Sequence, residues 1–144
     1  MNTPRKIRIF LVDDDAVFLK LLSIDFSEHA EYTVHTFPRG EDCLENLHLK
    51  PDVVVLDYHL NGIDKHAMNG LQVLDKIKAF QKEIPVIMLS SQDKIEIAVN
   101  CMHHHAADYV VKSETSYLRL HRIIESLSQF QKIEKELSWY MERM

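Results

Sequence analysis

Short runs of β-branched and aliphatic residues alternate with longer amphipathic stretches, and this alternation limits the fold more than any other feature of the sequence. The clearest run covers residues 52–56, Asp-Val-Val-Val-Leu, which is apolar at every position after the first. A strand that is apolar on both faces is typical of a parallel sheet covered on both sides. Similar runs predict four further strands, at residues 7–12, 32–37, 84–89 and 109–111.

The stretches between these runs have the spacing of amphipathic helices. In residues 71–80, apolar side chains occupy positions 71, 73, 74, 77 and 80, intervals that place them on one helical face. Further helices are predicted over residues 15–29, 40–49 and 95–105 and over the remainder of the chain after residue 111, with Asp15 as the N-cap of the first helix. Strands that alternate with helices build right-handed βαβ units, so the predicted fold class is α/β with a parallel sheet.

Composition restricts the class of protein rather than its activity. The chain of 144 residues suits one domain with a short appendage, and its 46% of hydrophobic residues argue against general disorder. The net charge of −5 gives no general footprint for nucleic acid, and no apolar stretch approaches the roughly 20 residues that span a bilayer. Its 2 cysteines provide neither a disulfide framework nor metal-ligand spacing. We therefore expect a cytoplasmic protein that binds neither nucleic acid nor membranes directly.

Polar side chains follow four of the five predicted strands, at the point where each strand ends. In a parallel sheet these carboxyl ends share one edge, where α/β proteins place their sites. A single aspartate there usually caps a helix, but a polar group after nearly every strand favours a common site. The residues are Asp13, Asp14 and Asp15 after the first strand, Asp57 after the third, Ser90 and Ser91 after the fourth, and Lys112 after the fifth.

These side chains suggest phosphoryl transfer to a carboxylate. Crowded carboxylates repel one another unless a cation neutralises them, and ligands that are all oxygen favour a hard cation such as Mg²⁺. A carboxylate beside Mg²⁺ can attack phosphorus as a nucleophile. The Ser90 hydroxyl and the Lys112 ammonium group could then hold the phosphoryl oxygens.

On these residues the chain resembles the receiver domain of a bacterial two-component response regulator. The resemblance rests on the Asp13-Asp14 pair, on Asp57 after Val-Val-Val-Leu, and on Tyr109-Val110-Val111-Lys112, and it extends over residues 5–128. It implies a flavodoxin-like fold, with a five-stranded parallel sheet in the order 2-1-3-4-5 and helices on both faces. Residues 129–144 would form a helical extension that serves as a linker or a dimerisation segment.

The resemblance also implies a role for each site residue. Asp57 would be the phosphoacceptor, and Ser90 and Lys112 would complete the catalytic set. Mg²⁺ would be the cofactor, and Ser90 and Tyr109 would form the conformational switch. The implied metal ligands are Asp13, Asp14, Asp57 and the backbone carbonyl of His59, and the positions implied to tune dephosphorylation are His59 and Gln92.

The implied partner is a sensor histidine kinase or a histidine phosphotransfer protein, with a homodimer through helix 4, strand 5 and helix 5 or through the C-terminal helix as a further expectation. Such a chain catalyses its own phosphorylation and slow dephosphorylation and is not otherwise an enzyme. Two alternatives stay open. One is a pseudo-receiver that binds partners without being phosphorylated. The other is a haloacid-dehalogenase-like phosphatase built on Asp13 and Asp15, although no later acidic pair completes that motif.

Three departures from the family pattern bear on the site. The loop after Asp57 is longer than in the family pattern by about five residues, and the insertion falls within residues 61–67. It either is a tolerated surface insertion or restricts which phosphodonor reaches Asp57. Ser113 follows Lys112 where receivers usually have a proline in a cis peptide, so the geometry of Lys112 is open. His105 stands where the family commonly has glycine, which would be uncomfortable at a positive φ.

Two helices carry more apolar side chains than a single buried stripe requires. The first helix is apolar at eight positions, and either a few of them form a docking surface or the buried stripe is wide: Ala16, Val17, Phe18, Leu19, Leu21, Leu22, Ile24 and Phe26. The stretch 114–144 has an apolar stripe and balanced charges, which argues against a nucleic-acid-binding helix. Its stripe could pair with a second copy, fold back on the domain or meet an output domain.

Overall fold

The structure is a computed structural model that describes residues 5–144. Five strands and five α-helices alternate along this part of the chain, with one 3₁₀ turn at Leu47–Leu49. The strands are β1 (Ile7–Val12), β2 (Tyr32–Phe37), β3 (Val53–Asp57), β4 (Val86–Ser90) and β5 (Asp108–Val111). The helices are α1 (Ala16–Ser27), α2 (Gly40–Glu45), α3 (Gly70–Phe80), α4 (Ile95–His103) and α5 (Ser116–Glu142).

All five strands are parallel and lie in the order β2-β1-β3-β4-β5. This confirms the expected fold class and strand order. Two strands begin and end later than predicted. Asp52 lies outside β3 because its carboxylate accepts a hydrogen bond from the Arg8 backbone at 2.7 Å. Because both strands also end one residue later than predicted, Asp57 and Ser90 are the last residues of β3 and β4 rather than the residues that follow these strands.

Helices cover both faces of the sheet, and each face has its own hydrophobic core. Helices α1 and α5 pack on one face through Leu22, Phe26 and Leu120, all of which are buried. The other face is covered by α2, α3 and α4, which contribute the buried side chains Cys43, Leu74, Ile77 and Cys101. Both faces of β3 are therefore buried, as its uninterrupted apolar sequence predicts.

Side-chain caps fix the first turns of α1 and α3, which begin at the carboxyl edge of the sheet. Asp15 is the N-cap of α1, as predicted, and its side chain accepts hydrogen bonds from the backbone N–H groups of Val17 and Phe18. Helix α3 begins with a capping box in which Asn69 and Gln72 each accept a hydrogen bond from the other's backbone. These caps satisfy N–H groups that would otherwise lack partners.

A polar cluster joins α5 to the ends of α1 and β2. The Tyr32 hydroxyl is hydrogen-bonded to His121 Nδ1 at 2.7 Å, and the Tyr117 hydroxyl is hydrogen-bonded to His29 Nε2. The two imidazoles stack with their centroids 4.7 Å apart. This cluster holds α5 against the domain as far as Glu125, which pairs with His121 one turn earlier.

Beyond Leu127 the apolar stripe of the last helix is exposed instead of packing on the domain. Helix α5 continues without a break to Glu142, and the side chains of Phe130, Ile133, Leu137 and Tyr140 are between 58% and 64% exposed. Folding back is therefore wrong for this stripe in the described residues. No helix within residues 5–144 has the length and apolar character that crossing a bilayer requires.

His105 adopts the left-handed backbone conformation, with φ of 71°. It follows the C-cap of α4, the position where helices commonly place glycine in this conformation. An L-residue there is strained by roughly 1–2 kcal/mol. The expectation that histidine would be strained at this position, where receivers commonly have glycine, is therefore confirmed.

Replacing His105 with glycine should stabilise the protein by up to about 1 kcal/mol, because relief of strain exceeds the entropy that glycine adds to the unfolded chain. The same change at His103, the last residue of α4, relieves no strain and should destabilise it by at most roughly 0.5–1 kcal/mol. Urea unfolding of both variants measures this difference. Equal destabilisation by both substitutions would contradict it.

Candidate functional site

The carboxyl ends of four strands bring the predicted polar residues to one edge of the sheet. Asp13 follows β1, Asp57 ends β3, Ser90 ends β4 and Lys112 follows β5. Asp13, Asp57 and Ser90 are at most 3% exposed. An open cleft of about 520 Å³ lies above them, with Asp14, Ser91 and the start of α1 among its walls.

Three carboxylates converge at the floor of this cleft. Oxygen atoms of Asp13, Asp14 and Asp57 lie within 4.8 Å of one another. Lys112 Nζ is 2.7 Å from Asp13 Oδ2 and 3.5 Å from Asp57 Oδ1. One ammonium group thus faces three acids, which leaves the cluster negative by two charges when all three acids are ionised.

Burial and, next in size, the charge of Asp13 raise the pKa of Asp57 to about 7, although Lys112 and a hydrogen bond from the His59 backbone oppose the rise. For Lys112, burial lowers the pKa, but the hydrogen bond to Asp13 and the charge of Asp57 outweigh burial and raise it above the ordinary value. The lysine is therefore a cation, and Asp57 needs further positive charge to be a carboxylate at neutral pH.

Neighbouring groups fix the positions of Asp13 and Lys112. Asp13 Oδ1 accepts a hydrogen bond from the Asp15 backbone at 2.9 Å. The Lys112 backbone donates to the Ser90 carbonyl at 2.7 Å, and its ammonium group lies 4.7 Å from the centre of the Phe18 ring. No cis peptide bond occurs in residues 5–144, so the Lys112–Ser113 bond is trans and the lysine still reaches both acids.

Ser90, Gln92 and Tyr109 are connected by hydrogen bonds. The Gln92 backbone donates to Ser90 Oγ at 3.1 Å, and its carbonyl accepts a hydrogen bond from the Tyr109 hydroxyl at 2.5 Å. Ser90 is fully buried, Tyr109 is half-buried and the Gln92 side chain is exposed. The serine at the floor of the site is thus linked through one residue to an aromatic side chain near the surface.

His59 lies in the wall of the cleft, two residues beyond Asp57. Its half-buried ring packs edge-on against Tyr58, with the ring centroids 4.8 Å apart. Its Nε2 atom is buried and has no hydrogen-bond partner within residues 5–144. The structure therefore brings every predicted site residue to this edge of the sheet, with His59, Gln92 and Tyr109 around the buried set.

The inserted loop also forms part of the cleft wall, through Gly62 and Ile63. It is tied to the start of α2 because Arg39 lies 3.8 Å from Asp64 and Glu41 accepts a hydrogen bond from the Met68 backbone at 3.1 Å. The sequence analysis did not predict these contacts, because the residues around Arg39 and Glu41 do not indicate which distant side chains or backbone groups they contact after folding.

Gly70 is a further positioning residue, and the sequence analysis did not identify it. Its backbone donates a hydrogen bond to the Tyr58 carbonyl at 3.0 Å. A β-carbon on Gly70 would lie 2.4 Å from the Asp57 carbonyl oxygen and 2.7 Å from Tyr58 Cα. The start of α3 can approach the end of β3 this closely only with glycine.

A sequence profile of the response regulator receiver domain matches residues 9–125. The chain belongs to this receiver family. Receiver domains are phosphorylation-controlled switches of two-component systems, and they interact with histidine kinases or phosphotransfer proteins. An acidic pocket of the kind seen at Asp13, Asp14 and Asp57 is a general property of the family.

Relatives and solved structures agree with this assignment. The receiver is 36% identical over 126 residues to a protein-glutamate methylesterase/protein-glutamine glutaminase of Bacillus subtilis, matching 84% of this chain and 34% of that protein. It is similar to a BeF₃-activated DrrB receiver domain, with 31% identity, a TM-score of 0.70 and coverage of 83% and 98%. It is also similar to NtrX from Brucella abortus, with 28% identity, a TM-score of 0.79 and coverage of 92% and 29%.

The receiver spans about a third of the length of the methylesterase relatives that it matches in sequence. The enzymatic activity in the name of the Bacillus protein therefore belongs to a much longer chain. In that protein, the segment similar to this chain is the regulatory part.

Gly70→Ala should destabilise the receiver by about 1–3 kcal/mol, because the added methyl group overlaps the backbone of Asp57 and Tyr58. Gly62→Ala is the matched control, since its β-carbon would lie 3.4 Å from the nearest atom, Asp14 Oδ2. The control should change the free energy of unfolding by less than about 0.5 kcal/mol. Urea unfolding measures both, and equal effects would show that close approach at Gly70 is unimportant.

Proposed function

We propose that Asp57 is the residue at which this receiver accepts a phosphoryl group. The observation that carries the proposal is its position at the end of β3, where its carboxylate faces Lys112 at 3.5 Å on the floor of an open cleft. Asp13 is the less suitable nucleophile because Lys112 and the Asp15 backbone already engage its two oxygens.

In the proposed reaction, an oxygen of Asp57 attacks the phosphorus atom of a phosphohistidine on the partner. A P–O bond forms while the P–N bond breaks, and the electron pair stays with the leaving imidazole, which takes up a proton. The Lys112 ammonium group and the Ser90 hydroxyl then bind the phosphoryl oxygens. Both groups already lie at the floor of the cleft, so each has only a short distance to move towards these oxygens.

The acidic cluster fits a hard cation. Its donors are all oxygen atoms, they converge within 4.8 Å, and the cluster lacks positive charge. Asp14, Asp57 and the His59 carbonyl would hold Mg²⁺ directly, and Asp13 would do so mainly through water. When bound, Mg²⁺ supplies positive charge that offsets the carboxylates and the incoming phosphoryl oxygens.

Ser90 and Tyr109 would convert phosphorylation into a change of shape. A phosphoryl group on Asp57 adds roughly −1.5 to −2 charges and draws Ser90 and Lys112 towards it. Moving Ser90 Oγ breaks its contact with the Gln92 backbone, and the same residue holds the Tyr109 hydroxyl. Tyr109 then turns inward, which changes the face formed by α4, β5 and α5.

His59 and Gln92 stand where their side chains can influence attack of water on the phosphoryl group. His59 lines the cleft, and Gln92 lies two residues beyond Ser90. We assign both positions to tuning dephosphorylation, so Gln92→Ala should change the lifetime of the phosphoryl group without preventing its transfer.

The partner that carries the phosphohistidine would dock on α1. Val17, Leu21 and Ile24 are 69%, 59% and 46% exposed, and they form an apolar surface that begins beside the cleft. A kinase or phosphotransfer protein that covered this surface would bring its histidine to Asp57. The chain would work in the cytoplasm through protein contacts, without binding nucleic acid itself.

The pseudo-receiver and phosphatase alternatives have less support. A pseudo-receiver would not need Lys112 held between two acids. A phosphatase built on Asp13 and Asp15 needs the Asp15 carboxylate at the reacting atoms, whereas this carboxylate caps α1. We therefore take self-phosphorylation and slow dephosphorylation as the chemistry of this chain.

Incubation with acetyl phosphate and Mg²⁺ should add one phosphoryl group to the natural chain and none to Asp57→Ala, because the variant lacks the nucleophile. Intact mass spectrometry measures the adduct, and Asp15→Ala is the matched control that should still be phosphorylated. No adduct with acetyl phosphate or with a phosphorylated histidine donor would favour the pseudo-receiver. An adduct that persists in Asp57→Ala and is lost in Asp13→Ala would favour the phosphatase.

Residues 5–128 would form the receiver proper, and residues 129–144 would link it to another segment or pair with a second copy. The exposed side chains of Phe130, Ile133, Leu137 and Tyr140 follow the spacing of a coiled-coil seam. A homodimer through this helix is the arrangement we favour, because the stripe is exposed and the domain does not cover it.

Leu137→Glu should shift the protein from dimer to monomer, since it places a charge in the proposed seam. Ser138→Glu adds the same charge one residue along, outside the seam, and should leave the dimer intact. Light scattering across a dilution series measures the mass of both variants. A natural chain that is monomeric at every concentration would refute pairing through this helix.

A further inference from the structure

A groove lies at the opposite end of the sheet from the phosphoacceptor site. Its floor includes Ile7 at the start of β1 and Val53 at the start of β3, and the passing face of α5 forms one wall through Leu127 and Gln131. The groove has a volume of about 330 Å³, which is near the lower end of the range for small-molecule sites. The phosphoryl-transfer chemistry described above uses none of its residues.

Four cationic side chains line this groove. Arg5 and Lys6 lie on the sheet side, and Lys132 and Lys135 lie on the α5 side, where the helix passes the start of β1. Among the described residues that line the groove, Asp52 is the only acid, so this lining has a net charge of +3 in a chain whose net charge is −5. This local excess of positive charge is the reverse of the charge of the whole molecule.

Most of these cations lack an acidic partner. Asp52 is 3.1 Å from Arg5 and also accepts a hydrogen bond from the Arg8 backbone, so its carboxylate is fully engaged. In the part of the chain that the structure describes, no carboxylate oxygen lies within 4.0 Å of the ammonium groups of Lys6, Lys132 or Lys135. Three ammonium groups around one concave surface repel one another, and an anion between them removes that repulsion.

We propose that this groove binds a small molecule that carries a diphosphate or triphosphate group. The cations stand on two walls, and a chain of linked phosphates carries more charge and more oxygen atoms with which to contact both walls than a single phosphate does. Between the walls, the half-buried side chains of Ile7 and Leu127 offer an apolar strip for the body of a nucleotide.

Binding would also fix the direction of the C-terminal helix. Lys132 and Lys135 belong to the extension, whereas Arg5 and Lys6 belong to the edge of the domain. A ligand held by both groups clamps the extension against the domain. The apolar stripe that includes Ile133 and Leu137 lies on another face of the helix, so it stays free for a partner.

Isothermal titration of the full chain with ATP and with pyrophosphate, in physiological salt and without Mg²⁺, tests the proposal. We expect saturable binding of one molecule per chain, weakened at least tenfold by Lys132→Ala combined with Lys135→Ala. The matched control combines Arg119→Ala with Arg122→Ala, which removes two exposed cations of the same helix outside the groove. The control should bind within twofold of the natural chain.

The two probes distinguish what the groove recognises. Equal affinities support recognition of the phosphate chain alone, and tighter binding of ATP supports an additional contact of the base with the apolar strip. Absence of saturable binding overturns the proposal, as does an equal loss in both double variants, because either result means general attraction to surface cations. All four substitutions replace exposed helical residues with alanine, which favours helix, so a folded control is expected. These outcomes do not depend on whether Asp57 is phosphorylated.

Discussion

The contact of Lys112 with Asp13 and Asp57 is the interaction on which the site depends. Burying a carboxylate without compensation costs several kcal/mol, and this chain places Asp13 and Asp57 side by side at the end of a buried sheet. One ammonium group at 2.7 Å and 3.5 Å makes this arrangement tolerable. It does not neutralise the cluster, since Asp57 still has a pKa raised to about 7. A site that remains short of positive charge is prepared to bind a cation and to respond to the added charge of a phosphoryl group.

The parallel sheet brings Lys112, Asp13 and Asp57 together. It also explains why the approximate positions of these residues could be predicted from the sequence. Val-Val-Val-Leu before Asp57 requires burial on both faces, which requires a parallel sheet with helices on either side. A parallel sheet collects the ends of its strands at one edge, so polar residues after each strand must meet there. Their approximate positions follow from strand pattern alone, without knowledge of any side-chain contact.

The parts that the sequence could not supply depend on close approach between distant segments. Gly70 is essential because two backbones come within contact distance, and nothing in the local sequence states how near β3 will lie. The ties from Arg39 and Glu41 to the inserted loop are similar, since residues more than twenty positions apart form them. The direction of the C-terminal helix was also open, because an amphipathic stripe indicates that a partner exists but not which one. The left-handed conformation at His105 was suggested only by comparison with a family pattern.

The short connection from Lys112 to α5 links the residues of the acidic site directly to the C-terminal helix. Ser116 Oγ accepts a hydrogen bond from the Ser113 backbone at 2.7 Å, and Ser116 itself is buried, so the turn between β5 and α5 is rigid. Under the proposed mechanism, a movement of Lys112 towards a phosphoryl group would act on the first turn of α5. The polar cluster of His29, Tyr32, Tyr117 and His121 holds the following turn against the domain. Because α5 extends roughly 40 Å at 1.5 Å per residue, a small rotation about that cluster would become a large displacement at the exposed stripe.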